Sequence, residues 1–302
     1  MLALIAQSPP GTYDVILSDA EFVQQLNAAG YIEELNAADY PFDDMVHDDF
    51  KKFPGHWKDG KLYSVMVRFG LLGVSYNTKA VSDAEAASYK CFWKPELKGK
   101  VGHFDWHLPN LGQISLYNGN GKNLWNLDKG QWDKVKATAK TLRPQVGGFF
   151  DYGGTFNGLK TGEMLAMAGI GDWITGVLER DGAPVKSVIP KEGGIQFTES
   201  YSIGKGSSKA AIVKKFIQYM MSPEGQVKSA NMAAYPANIV TNKGRKALQD
   251  KNPKEAQRSN QVDGSPLDPV KLVKDGRIQY RDIPRQQSLE EWNDFWQEYK
   301  SA

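Results

Sequence analysis

The segment 189-IPKEGGIQFTESYSIG-204 decides the fold, because it joins the end of one β-strand to a second strand through a glycine turn. Val185–Ile189 is a short β-prone run, and Pro190 ends it because proline cannot donate a hydrogen bond to a strand ladder. The pair Gly193-Gly194 is a turn signal. The residues from Gln196 onward therefore begin a new strand.

Alternation along this second strand places Phe197, Glu199 and Tyr201 on the same face. An acid between two aromatic residues suits an organic cation, since the carboxylate pairs with an ammonium group and the ring faces attract its charge. A solvated glutamate on an edge strand is the alternative interpretation. The spacing alone does not decide between them.

Outward from this segment, β-prone runs alternate with helical patterns. Gln131–Leu142 and Ser208–Met221 are amphipathic helices by their apolar spacing. Ser288 and Glu291 form a capping box that opens a final helix, whose aromatic stripe we expect to pack in a core. At 302 residues the chain is long enough for two domains. Repeated βα units indicate an α/β fold with a mainly parallel sheet in each domain.

Composition excludes several classes of function. The formal net charge is +2, so electrostatics favours neither nucleic acid nor an anionic membrane as a partner. The single cysteine, Cys91, cannot form an intramolecular disulfide or a cysteine-rich metal site. No apolar run reaches the ~18 residues that a membrane-spanning helix needs. The chain also lacks the sequence signatures of a nucleophile elbow, a phosphate-binding loop and a dinucleotide fold.

Five motifs follow one another in the order seen in bacterial extracellular solute-binding proteins of ABC importers. The PKEGG segment, with its aromatic residue and acid, most resembles the spermidine/putrescine-binding branch. The other motifs are YDVI at 13–16, LYSV at 62–65 with GVSYN at 73–77, FWKPELKGKV at 92–101, and MSPEGQ at 221–226 with AYPAN at 234–238.

The resemblance implies a two-lobed periplasmic-binding-protein fold of type II, with a ligand cleft between lobes joined by strand crossovers. Residues 1–73 plus 198–245 are expected to form lobe I, and residues 74–197 plus 246–302 lobe II. Such a protein closes around its ligand by hinge bending. Compared with the family, Met1 falls inside the second helix, so an opening strand–helix–strand unit is expected to be absent.

The resemblance further implies a receptor and not an enzyme, with no cofactor and no metal. The expected partners are a small amine-containing or amino acid-like ligand and the membrane permease of an ABC transporter. A monomer is expected, in the periplasm or lipid-anchored outside the cell. The ligand contacts that carry over position by position are Phe197, Glu199, Tyr235, Asp19, Glu21 and Gln279. Trp173 lies one or two places from the family's other cleft aromatic residue and is expected to supply that ring.

Two departures from the family pattern affect the expected ligand. Polyamine binders carry two acids after the WKPELKGKV strand, where this chain has Trp106 and Pro109, with Asp105 adjacent. Arg68 stands where the family has an aliphatic residue, and a guanidinium there repels a polycation and can grip a carboxylate. An exposed structural arginine is the alternative. Together the changes favour a ligand with a single cationic end.

The alternative function is a metal-dependent hydrolase centred on His103, Asp105 and His107. In an extended strand, this HxDxH spacing would place all three side chains on one face, where they could bind zinc. One strand seldom supplies three ligands by itself, and no further histidine lies nearby in the sequence.

Overall fold

The structure is a computed structural model that describes residues 2–302, and it contains both helices and strands. The strands are β1 Val15–Asp19, β2 Trp57–Lys58, β3 Lys61–Leu62, β4 Val65–Leu72, β5 Val74–Asn77, β6 Val101–Phe104, β7 Val146–Phe150, β8 Ala166–Ala168, β9 Val185–Val188, β10 Gly194–Ile203 and β11 Ile278–Tyr280. The helices are α1 Leu2–Ala6, α2 Val23–Ala28, α3 Asp48–Lys51, α4 Asp83–Ala86, α5 His107–Tyr117, α6 Lys129–Leu142, α7 Tyr152–Thr161, α8 Asp172–Arg180, α9 Ala210–Met221, α10 Pro223–Ala230, α11 Asn242–Lys251, α12 Pro253–Arg258, α13 Pro269–Lys274 and α14 Leu289–Ser301.

The chain forms two compact units, each discontinuous in sequence. Unit 1 consists of the chain up to Phe69 together with Phe197–Lys274, and unit 2 consists of Gly70–Gln196 and Asp275–Ala302. The expected fold, two α/β lobes, is confirmed. The backbone passes from one unit to the other within β4, within β10 and at the end of α13.

The second half of β10 is the strand that organises unit 1. It pairs antiparallel with β1 from Glu199 to Ile203, so the described ladder of this unit is not parallel as expected. The reason is that β10 enters from unit 2 and not through a helical crossover. Apolar residues of α2 and β1 pack together behind it, with Ile16, Val23 and Leu26 buried in one cluster.

Unit 2 contains a five-stranded sheet in the order β7-β6-β8-β5-β9. The strands β7, β6 and β8 run parallel, as the βα pattern predicted, whereas β5 is antiparallel to both β8 and β9. Separately, the first half of β10 pairs with β11 in parallel. The carboxyl ends of β6, β7 and β8 therefore share one edge, which is where open α/β sheets place their ligands.

Helix α14 closes unit 2 with the aromatic core predicted from its sequence. The capping box is present, with the Ser288 and Glu291 side chains each accepting a hydrogen bond from the other's backbone N–H. Trp292 stacks on Trp132 with ring centroids 4.9 Å apart, and Trp125 packs on the same indole at 5.7 Å. Seven of the eight tryptophans belong to unit 2, and the eighth is Trp57.

The third crossing between the units differs from the expected position. Residues 246–274 lie in unit 1, whereas the motif alignment assigned them to the second lobe. They form α12, α13 and most of α11, with turns at 259–268 between the last two helices. Leu248 and Ala256 pack with α10 in one apolar cluster, and Arg245 pairs with Asp268, so the packing of this segment keeps it in unit 1 as far as Lys274.

Candidate functional site

Glu199 is the third residue of β10 that belongs to unit 1. Charged residues lie on the two strands that pair with it. Asp19 is directly opposite Glu199 in the antiparallel ladder with β1. Opposed residues point to the same face with Cβ atoms about 5 Å apart, so the two acids are neighbours. Arg68 lies on β4, which also pairs with β10. The face predicted from the sequence therefore carries an acid pair and a guanidinium.

Arg68 forms an ion pair with Glu199 through its Nε atom. Their side chains are 12% and 16% exposed, so most of the pair is removed from water. Burying a carboxylate without a counter-charge is costly. Here the arginine of the same unit provides the counter-charge.

Aromatic side chains surround this ion pair. The Arg68 guanidinium carbon lies 4.5 Å from the centroid of the Tyr235 ring, within cation–π range. The centroids of the Phe197 and Tyr235 rings are 6.1 Å apart, and the Arg68 Nη1 atom is 3.4 Å from the sulfur of Met232. The rings and acid predicted to bind an ammonium thus meet in unit 1, and they surround an internal cation.

Asp19 and Glu21 occupy different positions with respect to this cluster. Asp19 ends β1 and is half-buried opposite Glu199. Glu21 lies in the 3₁₀-helix Ala20–Phe22 that follows, where it is buried. Because the chain turns between them, only Asp19 is placed beside Glu199 by the ladder.

In unit 2, the predicted residues after β6 lie near an arginine that the sequence analysis did not select. The Arg281 guanidinium is 4.3 Å from the centroid of the Trp106 ring, and Arg281 is buried. It directly follows β11, and its backbone N–H donates to the carbonyl of Gln196. The sequence analysis predicted no strand at 278–280, so no signal pointed to Arg281. Gln279 lies on β11 opposite Ile195 and is partly exposed.

Asp105 and Trp173 are engaged within unit 2. Asp105 accepts hydrogen bonds from the Trp296 indole at 2.9 Å and from Lys300. Partial burial opposes ionisation, but these donors prevail and lower the pKa of Asp105. Trp173 is buried on α8 with its ring centroid 5.4 Å from that of Tyr152. Both side chains follow the carboxyl ends of parallel strands, yet each is held mainly by structural contacts.

The hydrolase alternative gains no support, because the three residues do not share one strand. β6 ends at Phe104, and His107 already begins α5. Both ring nitrogens of the buried His103 have protein partners, Asn110 Oδ1 at 2.6 Å and the Tyr299 hydroxyl at 3.1 Å. Among residues 2–302, no group of three His, Cys, Asp or Glu side chains is placed to hold a metal ion.

The PKEGG segment itself has a structural role in unit 2. Ser88 Oγ donates to the carboxylate of Glu192, and the Tyr89 hydroxyl donates to the carbonyl of Gly193 at 3.1 Å. Lys191 N–H donates to Ala87 O at 2.8 Å. These bonds hold the turn before β10 against the 3₁₀-helix Tyr89–Trp93. They thereby position the start of β10, the strand that carries Glu199.

Comparison with known proteins identifies the family. The model for bacterial extracellular solute-binding proteins matches residues 1–254. The chain belongs to this family. It is a binding protein and not an enzyme, as expected, and the family functions outside the cytoplasm. None of the helices in the described part of the chain is long and apolar enough to cross a membrane.

Individual relatives are distant. Spermidine/putrescine-binding periplasmic protein 1 of Haemophilus influenzae is 25% identical over 81% of this chain and 66% of its own length. The chain thus spans slightly less than two thirds of that relative. The spermidine/putrescine ABC transporter substrate-binding protein PotD from Streptococcus pneumoniae superposes with a TM-score of 0.76 at 16% identity, covering 100% of this chain and 87% of the other. The Atu4243-GABA receptor superposes with a TM-score of 0.68 at 18% identity, covering 94% of this chain and 82% of the other.

Proposed function

We propose that this family member is the solute receptor of an ABC importer and that it captures a small amine-containing solute. The observation that carries the proposal is the position of Glu199 in unit 1, beside the rings of Phe197 and Tyr235. A carboxylate supplies the counter-charge for an ammonium, and ring faces stabilise the cation while water is removed.

Two ligand classes agree with this chemistry, and similar proteins represent both. The names of the curated relatives specify spermidine and putrescine, and one solved structure of the same fold is a GABA receptor. The shared feature of these ligands is a primary amine on a short flexible chain. We therefore propose that Glu199 binds the amine that both ligand classes share. The two classes differ in the group at the other end of the ligand.

The proposed partner is the membrane permease of the importer, to which the receptor delivers its ligand. Delivery requires the protein to work on the outer side of the cytoplasmic membrane. We propose the periplasm, or lipid anchoring at the outer surface if the source is Gram-positive, and we propose that the receptor acts as a monomer.

Binding can be tested by thermal shift and calorimetry with putrescine, spermidine, 4-aminobutyrate and small carboxylates that lack an amine. A ligand that binds only the folded protein raises its melting temperature by mass action. Glu199→Gln should weaken binding of the active amine by about 1.5–3 kcal/mol, the range for a hydrogen bond to a charged group, or about 10- to 150-fold.

The matched control is Glu34→Gln, which neutralises an exposed acid of the same unit that pairs with Lys61. It should leave ligand affinity unchanged. Equal affinity of Glu199→Gln and the wild type would remove Glu199 from the site. Stabilisation only by the carboxylates without an amine would refute the amine assignment itself.

A further inference from the structure

We propose that Arg68 is an internal competitor for the ammonium site, and that it makes the protein select zwitterionic ligands, such as short ω-amino acids, over polyamines. The inference rests on the proposed function and names its ligand class. Its basis is that the Arg68 guanidinium occupies the position assigned to the ligand's amine. It pairs with Glu199 and lies 4.5 Å from the centroid of the Tyr235 ring.

An incoming ammonium must exchange with this guanidinium. Glu199 Oε2 already accepts the Arg68 Nε–H, and the pair is largely buried. When a ligand amine takes the carboxylate, the guanidinium loses its partner in a site with little access to water. A freed charge of this kind is costly unless a new anion meets it. The exchange is therefore most favourable if the ligand itself carries that anion.

A carboxylate at the far end of the ligand meets this requirement. The planar guanidinium presents its N–H donors in a fork that matches a carboxylate, often in two parallel hydrogen bonds. Packing against the Tyr235 ring and the Met232 sulfur positions the guanidinium group beside Glu199. A short ω-amino acid thus replaces one ion pair by two, Glu199 with its amine and Arg68 with its carboxylate.

A diamine lacks that compensation. Its second ammonium adds positive charge near Arg68, and like charges a few ångströms apart repel each other strongly where water is scarce. The ion-pair exchange at Glu199 and Arg68 therefore favours a ligand with one cationic end and one carboxylate.

The test compares three probes with the same four-carbon chain: 4-aminobutyrate, n-butylamine and putrescine. Calorimetry of the wild type should rank them in that order of affinity. In Arg68→Met the ligand's carboxylate has no guanidinium to bind, so the affinity for 4-aminobutyrate should fall about tenfold. The cation that competes for Glu199 is also removed, so the affinity for putrescine should rise about tenfold. Each change is the size expected for one charge-assisted hydrogen bond. Arg285→Met, at an exposed ion pair with Asp282, is the matched control and should change neither.

Arg68→Lys guards against a folding defect in Arg68→Met, because it keeps a cation beside Glu199. Lysine lacks the planar fork, so this variant should still disfavour putrescine while 4-aminobutyrate binds at least threefold more weakly. If amines bind but the ratio of 4-aminobutyrate to putrescine affinity is the same in wild type, Arg68→Met and Arg68→Lys, the role of Arg68 is refuted and the amine receptor stands. If no probe binds wild type or variant, the amine assignment fails, and the inference fails with it.

Discussion

Arg245 and Asp268 form a two-point ion pair inside unit 1. The Nη1 atom lies 2.8 Å from Oδ1 and the Nη2 atom 2.6 Å from Oδ2, with the side chains only 9% and 13% exposed. The pair fastens α11 to the residue that precedes α13. It thereby helps to hold in unit 1 a segment that the motif order alone had assigned to the second lobe.

Removal of one partner should be strongly destabilising, because the other charge then remains buried without compensation. We expect Arg245→Met to lower the free energy of unfolding by about 3–5 kcal/mol, measured by urea denaturation. Arg285→Met breaks an ion pair whose side chains are 67% and 40% exposed and should cost less than about 1 kcal/mol. Similar losses in the two variants would contradict the structural role of the Arg245 pair.

Gly171 is a second position with a sharp expectation. A Cβ atom there would lie 1.8 Å from the carbonyl oxygen of Leu71, a backbone atom that cannot move aside easily. Gly171→Ala should therefore unfold or severely destabilise unit 2, as followed by circular dichroism and melting temperature. Gly130→Ala, in α6, has only the Asp128 carboxylate at 3.4 Å. Gly130→Ala should therefore be neutral or stabilising by up to about 1 kcal/mol. Comparable melting temperatures of Gly171→Ala and Gly130→Ala would refute the predicted clash at Gly171.

Two buried histidines predict how stability depends on pH. Burial lowers the pKa of His56 to about 3 and that of His103 to about 4, from an ordinary value of 6.5. Protons then bind the unfolded chain preferentially. Each histidine's contribution is complete above about pH 6.5 and is lost as the pH falls toward its folded-state pKa. For His103 this amounts to on the order of 3 kcal/mol.

The measurement is the free energy of unfolding between pH 7 and pH 4.5. His56→Gln can still bond Ser200, which lies 2.9 Å from the imidazole Nε2 atom, but it no longer titrates. Its stability should fall less steeply with decreasing pH than that of the wild type. Parallel curves for the two proteins would show that His56 does not contribute to the pH dependence.

A variant of Ser88 tests the structural role of the PKEGG segment separately from the proposed binding role of β10. Ser88→Ala removes the hydroxyl that donates to Glu192, which should cost about 1–3 kcal/mol of stability. Ligand affinity should be unchanged, because neither residue belongs to the charged cluster of unit 1. Glu199→Gln should show the opposite behaviour, a large loss of affinity. A tenfold loss of affinity in Ser88→Ala would mean that Glu192 acts in binding.

Local patterns predicted the fold best where the signal was contained in a few neighbouring residues. The capping box at Ser288, the aromatic stripe of α14 and the alternating face of β10 depend on periodicity and hydrogen bonds within one element. The extended HxDxH segment that the hydrolase alternative required does not form, since β6 ends at Phe104 and α5 begins at His107. The last crossing was missed because the packing of residues 246–274 involves distant parts of the chain.

The same limit applies to the candidate site. Sequence alternation placed Phe197 and Glu199 on one face, and the motif order suggested Tyr235 as their neighbour. The pairing of Glu199 with Arg68 joins residues 131 positions apart and depends on β4 lying beside β10. A sequence shows that an arginine is present, but it does not show which carboxylate that arginine will neutralise.

The uneven distribution of tryptophan has a practical consequence for spectroscopy. With Trp57 as the single indole of unit 1, intrinsic emission reports almost entirely on unit 2. A fluorescence-monitored melt will therefore follow the stacked indoles around Trp292, and unfolding confined to unit 1 could pass almost unseen. The tyrosines Tyr201 and Tyr235 lie close to the Glu199 cluster, so absorbance or energy transfer from tyrosine is the better optical signal for events there.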